Sequence, residues 1–89
     1  MKIDHVGIAV KSVDESLKFY RDILGLEFKG TEVLEDRGLK VAFLKTGESK
    51  IELLESISED SNIAKFIEKK GEGIHHLALK VDDVDEKIE

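Results

Sequence analysis

Residues 3–10 alternate between two faces, which predicts a β-strand: Val6, Ile8 and Val10 form an apolar side suited to a packed helix, while Ile3, His5, Gly7 and Ala9 form a side that is small and polar around His5. Ser12 followed by Glu15 reads as a capping box, and Val13, Leu17, Tyr20 and Leu24 then recur at helical spacing until Gly25. Strands are predicted over residues 26–33, 39–46 and 50–55, separated by the turn residues Glu35, Asp36, Arg37 and Gly38 and by Gly47, Glu48 and Ser49. The first part of the chain is therefore β-α-β-β-β, an α+β pattern. A polar connector leads to a predicted helix over residues 62–70, with Ile63, Phe66 and Ile67 on its apolar face and Gly71 as its stop. Residues 74–81 alternate again, placing Ile74, His76, Ala78 and Lys80 on one face and His75, Leu77, Leu79 and Val81 on the other. Asp82 or Asp83 is suited to cap one further helix.

The last strand repeats the first. Residues 4–15 laid over residues 75–86 fall into one gapless register at an offset of 71, which matches His5 with His76, Val10 with Val81, and Val13, Asp14 and Glu15 with Val84, Asp85 and Glu86. Such self-similarity marks a duplicated supersecondary unit. The chain divides accordingly into a first module over residues 1–56, a connector helix over 57–73 and the start of a second module over 74–89, the whole an incomplete single domain.

The composition limits the chemistry. The 89 residues suffice for one core and not for two. Without cysteine there is no disulfide and no thiolate site, so any metal must be held by the three histidines and by carboxylates, and a reducing cytoplasmic setting is expected. The formal charge of −6, with acids and bases interspersed, argues against a nucleic-acid footprint or a polybasic membrane anchor. There is no long apolar run to cross a membrane.

His5 lies beside Gly7 and Ala9, and His76 has Ala78 in the same relation, so both imidazoles project into space left by small neighbours. On the strand over residues 50–55, Ile51 and Leu53 claim the core side and leave Glu52 facing the other way. Each of these residues also reads as an ordinary strand residue; two histidines at equivalent repeat positions put the ligand reading level with the ordinary one. Together His5, Glu52 and His76 make a two-histidine, one-carboxylate donor set with coordination positions left open. His75, assigned by alternation to the opposite face, reads as a packing residue or as a partner behind a ligand.

The segments HVGIAV, SLKFYRDILGLE, KIELLE and SNIAKFIEKKGEGIHHLALKVDDVDE resemble the methylmalonyl-CoA epimerases, a family of the vicinal-oxygen-chelate (glyoxalase/bleomycin resistance/dioxygenase) superfamily, over essentially the whole chain. The resemblance implies paired βαβββ modules forming a cupped sheet around a divalent metal ion, often cobalt, with manganese, nickel, zinc or magnesium as alternatives. His5, Glu52 and His76 match three of the ligands, and the fourth, a glutamate, is expected beyond Glu89. The implied reaction is proton transfer at the carbon alpha to the thioester of methylmalonyl-CoA. That fourth ligand is also a family base; a second is carried in some members on the third strand, where this chain has about Val41, which cannot transfer a proton. Glu35 and Glu32 lie nearby without motif support. The other readings are a glyoxalase I-type lyase, a metal-independent ligand-binding module of the same superfamily, and an inactive fold that pairs two chains. A CoA thioester is the expected small-molecule partner. A homodimer, with or without exchanged segments, is expected from the exposed edge of the last strand.

Overall fold

The structure, a computed structural model, describes residues 2–80. It is an α+β fold with five strands: β1 (Lys2–Val10), β2 (Glu27–Leu34), β3 (Leu39–Thr46), β4 (Ser49–Ser56) and β5 (Gly73–Lys80). Helix α1 (Val13–Leu17) runs on into a π-helical turn (Lys18–Ile23), and α2 (Asn62–Lys70) precedes β5. The sheet order is β2-β3-β4-β1-β5, with β1 parallel to β4 and every other pair antiparallel. The further helix expected after Asp82 or Asp83, and the repeat beyond Lys80, lie outside the described residues.

Both faces of the sheet are covered in its middle. The face predicted to want a helix receives α1: Val10, Val13, Leu17, Ala42, Leu44 and Leu53 are buried together, with Ile8, Tyr20, Leu26, Phe28 and Ile51 packed against them. On the opposite face Ile63 of α2 is buried with Ala9, Val41 and Leu54, and Phe66 and Ile67 pack alongside, as their spacing predicts. Period-2 alternation on β4 thus sends Ile51 and Leu53 one way and Leu54 the other.

Two expectations for the first helix change. The helix over residues 13–24 widens after one turn: the Leu24 N–H donates to the Phe19 carbonyl at 2.9 Å, one residue further back than in an α-helix. This rotates Leu24 off the core stripe and leaves it 53% exposed, while Leu26 packs against the core in its stead. The capping box is only half made. Ser12 Oγ accepts the Glu15 N–H at 3.2 Å, but the Glu15 carboxylate pairs with Lys18 at 3.0 Å, and the Val13 N–H is taken by Glu55 of β4 at 2.7 Å.

The pairing of β1 with β5 displays the repeat. Lys2, Ile3, His5, Val6, Gly7, Ile8 and Ala9 face Lys80, Leu79, Ala78, Leu77, His76, Ile74 and Gly73. Exchanging every residue of β1 with the one 71 positions later returns the same set of pairs, so a pseudo-two-fold axis passes through the Val6–Leu77 pair. The two irregularities obey it as well: Asp4 is the extra residue between Ile3 and His5, and His75 the extra residue between Ile74 and His76. Each is a β-bulge, in which two residues of one strand oppose one of the other. The bulges correct the strict alternation expected of both strands. Past them the parity switches, and Ile3 and Ile74 fall on the face of Val6 and Leu77 rather than with the histidines.

Candidate metal centre

The central strands bring the three predicted donors together. Gly7 of β1 lies opposite Glu52 on β4 and opposite His76 on β5, so these two flank one glycine, and His5 stands two residues along β1 from it, opposite Ala78. Small residues face both imidazoles, as the sequence pattern anticipates. Gly7 is required sterically: a β-carbon there would fall 2.6 Å from His76 Nδ1 and 2.7 Å from His76 Nε2, inside the ring's contact envelope.

His5 Nε2 and His76 Nε2 are 3.2 Å apart, and Glu52 Oε2 is 4.0 Å from His5 Nε2. One donor atom from each of the three residues lies within 4.8 Å of the other two, and all three residues are half-buried. Ligands of a divalent transition metal bind at about 2.0–2.2 Å, so neighbouring donor atoms around one ion stand about 3–3.5 Å apart; the two imidazoles are already at that spacing, and the Glu52 carboxylate stands somewhat further off, 4.0 Å from His5. Two imidazole nitrogens and one carboxylate are also the donor types that such ions take. The residues fit the group.

Protonation favours the same use. The His76 imidazole is held below its ordinary value of 6.5, first by burial and then by the neighbouring His75 and His5, with Glu52 pulling in the opposite direction. A neutral ring is the form that binds a metal. Behind the donor atoms, Asp4 Oδ2 lies 2.8 Å from His5 Nδ1, and His75 Nδ1 lies 2.9 Å from His76 Nδ1. The His75 ring stands edge to face on Phe66 of α2, with centroids 5.1 Å apart.

The three donors line a cavity of about 690 Å³, shared with the 3₁₀ turn before β3 and the start of α2. Leu34, Leu39, Val41 and Leu54 give it apolar wall, and Arg37 is the one guanidinium among the lining residues. Asp36, Asp60 and His75 also line it. Sequence reasoning singled out Glu35 and Glu32 near this turn, whereas it is Asp36 and Arg37 that reach the cavity; on a single turn of 3₁₀ helix no periodic signal tells such neighbours apart.

Residues 4–89 match the family model described as the glyoxalase/bleomycin resistance protein/dioxygenase superfamily. The chain belongs to that superfamily. Among its superfamily relatives, the human mitochondrial methylmalonyl-CoA epimerase is 35% identical over 88 residues, which are 98% of this chain and 50% of that protein. A crystal structure of a hypothetical protein from Bacillus halodurans superposes with a TM-score of 0.89 at 56% identity, covering 97% of this chain and 62% of the other. A Streptomyces coelicolor methylmalonyl-CoA epimerase in complex with 2-nitronate-propionyl-CoA superposes at 0.83 with 41% identity, covering 98% and 66%. The chain thus spans between half and two thirds of the length of these superfamily members.

Proposed function

We propose that this chain carries the metal centre and part of the substrate cavity of a methylmalonyl-CoA epimerase, an isomerase that moves the proton at the carbon alpha to a CoA thioester and so interconverts the (R) and (S) forms. The observation that carries the reading is the convergence of His5, Glu52 and His76 on the wall of one cavity. The likeness to epimerases supports the substrate.

On this reading His5, Glu52 and His76 hold a divalent ion, cobalt being the first to test. Such an ion, when bound, supplies a Lewis acid that stabilises negative charge on the substrate's carbonyl and carboxylate oxygens. The remaining work belongs to the chain. Three protein donors leave positions open for those oxygens. Arg37 offers a planar fork to an anionic group of the substrate. The apolar wall formed by Leu34, Leu39, Val41 and Leu54 limits water and so strengthens every electrostatic interaction beside it. Among the described lining residues, Asp36 and Asp60 are the carboxylates outside the donor set, and with His75 they are groups able to take or return a proton. Val41 is buried in the α2-side cluster and serves only as wall.

The test is incubation with methylmalonyl-CoA in deuterated water, with and without added cobalt, using the chain at the full length of its coding sequence. Metal-dependent deuterium uptake at the alpha carbon is expected. No exchange by metal-loaded protein, or turnover of a glutathione hemithioacetal in its place, overturns the assignment, the second in favour of a glyoxalase-type lyase.

A further inference from the structure

Consecutive residues of a regular strand point to opposite faces, so neither Asp4 and His5 nor His75 and His76 would meet if β1 and β5 were unbroken. They meet because each pair sits at a β-bulge. Asp4 and His75 occupy equivalent positions of the internal repeat, each is the extra residue of its strand, and each brings one atom to the Nδ1 of the histidine that follows, at 2.8 and 2.9 Å. In both halves the result is the same: Nδ1 is engaged from behind, and the two Nε2 atoms face each other 3.2 Å apart in the cavity.

We infer that the two bulges are the device that aims the donor histidines, with Asp4 and His75 as paired positioning residues that accept the Nδ1–H of His5 and His76 when an ion is bound, so that both Nε2 lone pairs, in place of the Nε2–Nε2 hydrogen bond between them, turn to the ion. A ligating imidazole must carry its proton on the nitrogen away from the ion, and that N–H needs an acceptor that fixes ring and tautomer together. Asp4 is an acceptor in its carboxylate form. His75 accepts through Nδ1 when its own proton is on Nε2, and its ring is steadied by Phe66, which ties β5 to α2. The two halves therefore share geometry and differ in chemistry: His5 is backed by a carboxylate, His76 by an imidazole. Gly7 belongs to the same device, because it opens the space across which the aimed His76 ring lies.

This inference rests on the metal reading, and its test separates the two. Zn²⁺ alone is titrated calorimetrically into the full chain, its H75F variant, which keeps a ring against Phe66 without an acceptor, and its H75N variant, whose Oδ1 replaces the lost Nδ1. The expected result is an affinity about 10- to 100-fold weaker for H75F and within about threefold of the parent for H75N. In uniformly ¹⁵N-labelled parent protein with Zn²⁺ bound, His76 is expected to show an Nδ1–H and a scalar coupling across the hydrogen bond to His75 Nδ1. Equal affinities for the parent and H75F, or a Zn²⁺-bound His76 without that coupling, overturn the positioning role and leave the metal site standing. A parent protein that binds no Zn²⁺ overturns both. The coupling is read on the parent, so the test holds even if H75F does not fold.

Discussion

Gly7 is the residue on which the centre turns. It lies between Glu52 and His76 across three strands, and its missing side chain is the space the His76 ring crosses. Its need is steric rather than conformational, since no positive φ is found there. The G7A variant is therefore expected to fold, to lose about 1–3 kcal/mol through overpacking, and to bind Co²⁺ at least about tenfold more weakly because the ring is pushed out of line. Urea unfolding and a Co²⁺ titration check the two parts separately; unchanged Co²⁺ affinity in a folded G7A would show that His76 is not used as it stands. The three clustered residues were legible in the sequence, because a histidine beside small residues at both repeat positions and a glutamate between two core residues are local patterns. The placement of His75 was only half legible. Alternation assigned it to the far face, and a bulge adds a residue without changing the apolar–polar spelling of the strand.

At the scale of elements, α1 is started by its neighbour as much as by its own sequence. The Val13 N–H is an orphan of the first turn, and the Glu55 carboxylate of β4 accepts it at 2.7 Å, while Glu15 is drawn to Lys18. Replacing Glu55 by Ala is expected to destabilise the fold by about 1 kcal/mol, in the range of a lost helix cap, and E15A by less than about 0.5 kcal/mol. Chemical denaturation of the two variants ranks them; a larger loss for E15A would restore the local capping box. Helix α2 is held by Ile63, which is 2% exposed, so I63A is expected to cost about 2–5 kcal/mol and, through Phe66 against His75, to loosen the centre as well. The order of elements and the apolar face of α2 were readable from period and stop signals. The π-helical turn was not, because Tyr20 and Leu24 keep α-helical spacing in the sequence while the wider turn places only Tyr20 and Leu26 on the core.

For the whole molecule, the covered middle of the sheet contrasts with the β1–β5 side. β5 is an edge strand among the described residues, and Ile3, Ile74, Leu77 and Leu79 are 41%, 64%, 51% and 50% exposed on the face that the register assigns to Val6. Such a patch along an unpaired edge invites a second chain. Light scattering is expected to report twice the chain mass, and the double variant L77K/L79K is expected to return the monomer; a monomeric parent at working concentration would contradict self-association. The pseudo-two-fold register of β1 on β5 gives physical form to the repeat read from the sequence, and it explains why the two histidines converge: His5 and His76 lie on either side of the axis through the Val6–Leu77 pair, close to it and on the same face of the sheet. Their meeting with Glu52 follows from the parallel pairing of β1 with β4, which is a long-range fact that local pattern does not carry. The central claim is that these three residues form one metal centre. Its most direct test is the stoichiometry of Co²⁺ binding, followed by visible absorption, in the parent chain and in H5A, E52A and H76A. The account predicts one equivalent per chain in the parent and loss of that equivalent, with its absorption band, in each variant. Retention of a full equivalent in H5A or H76A would contradict it.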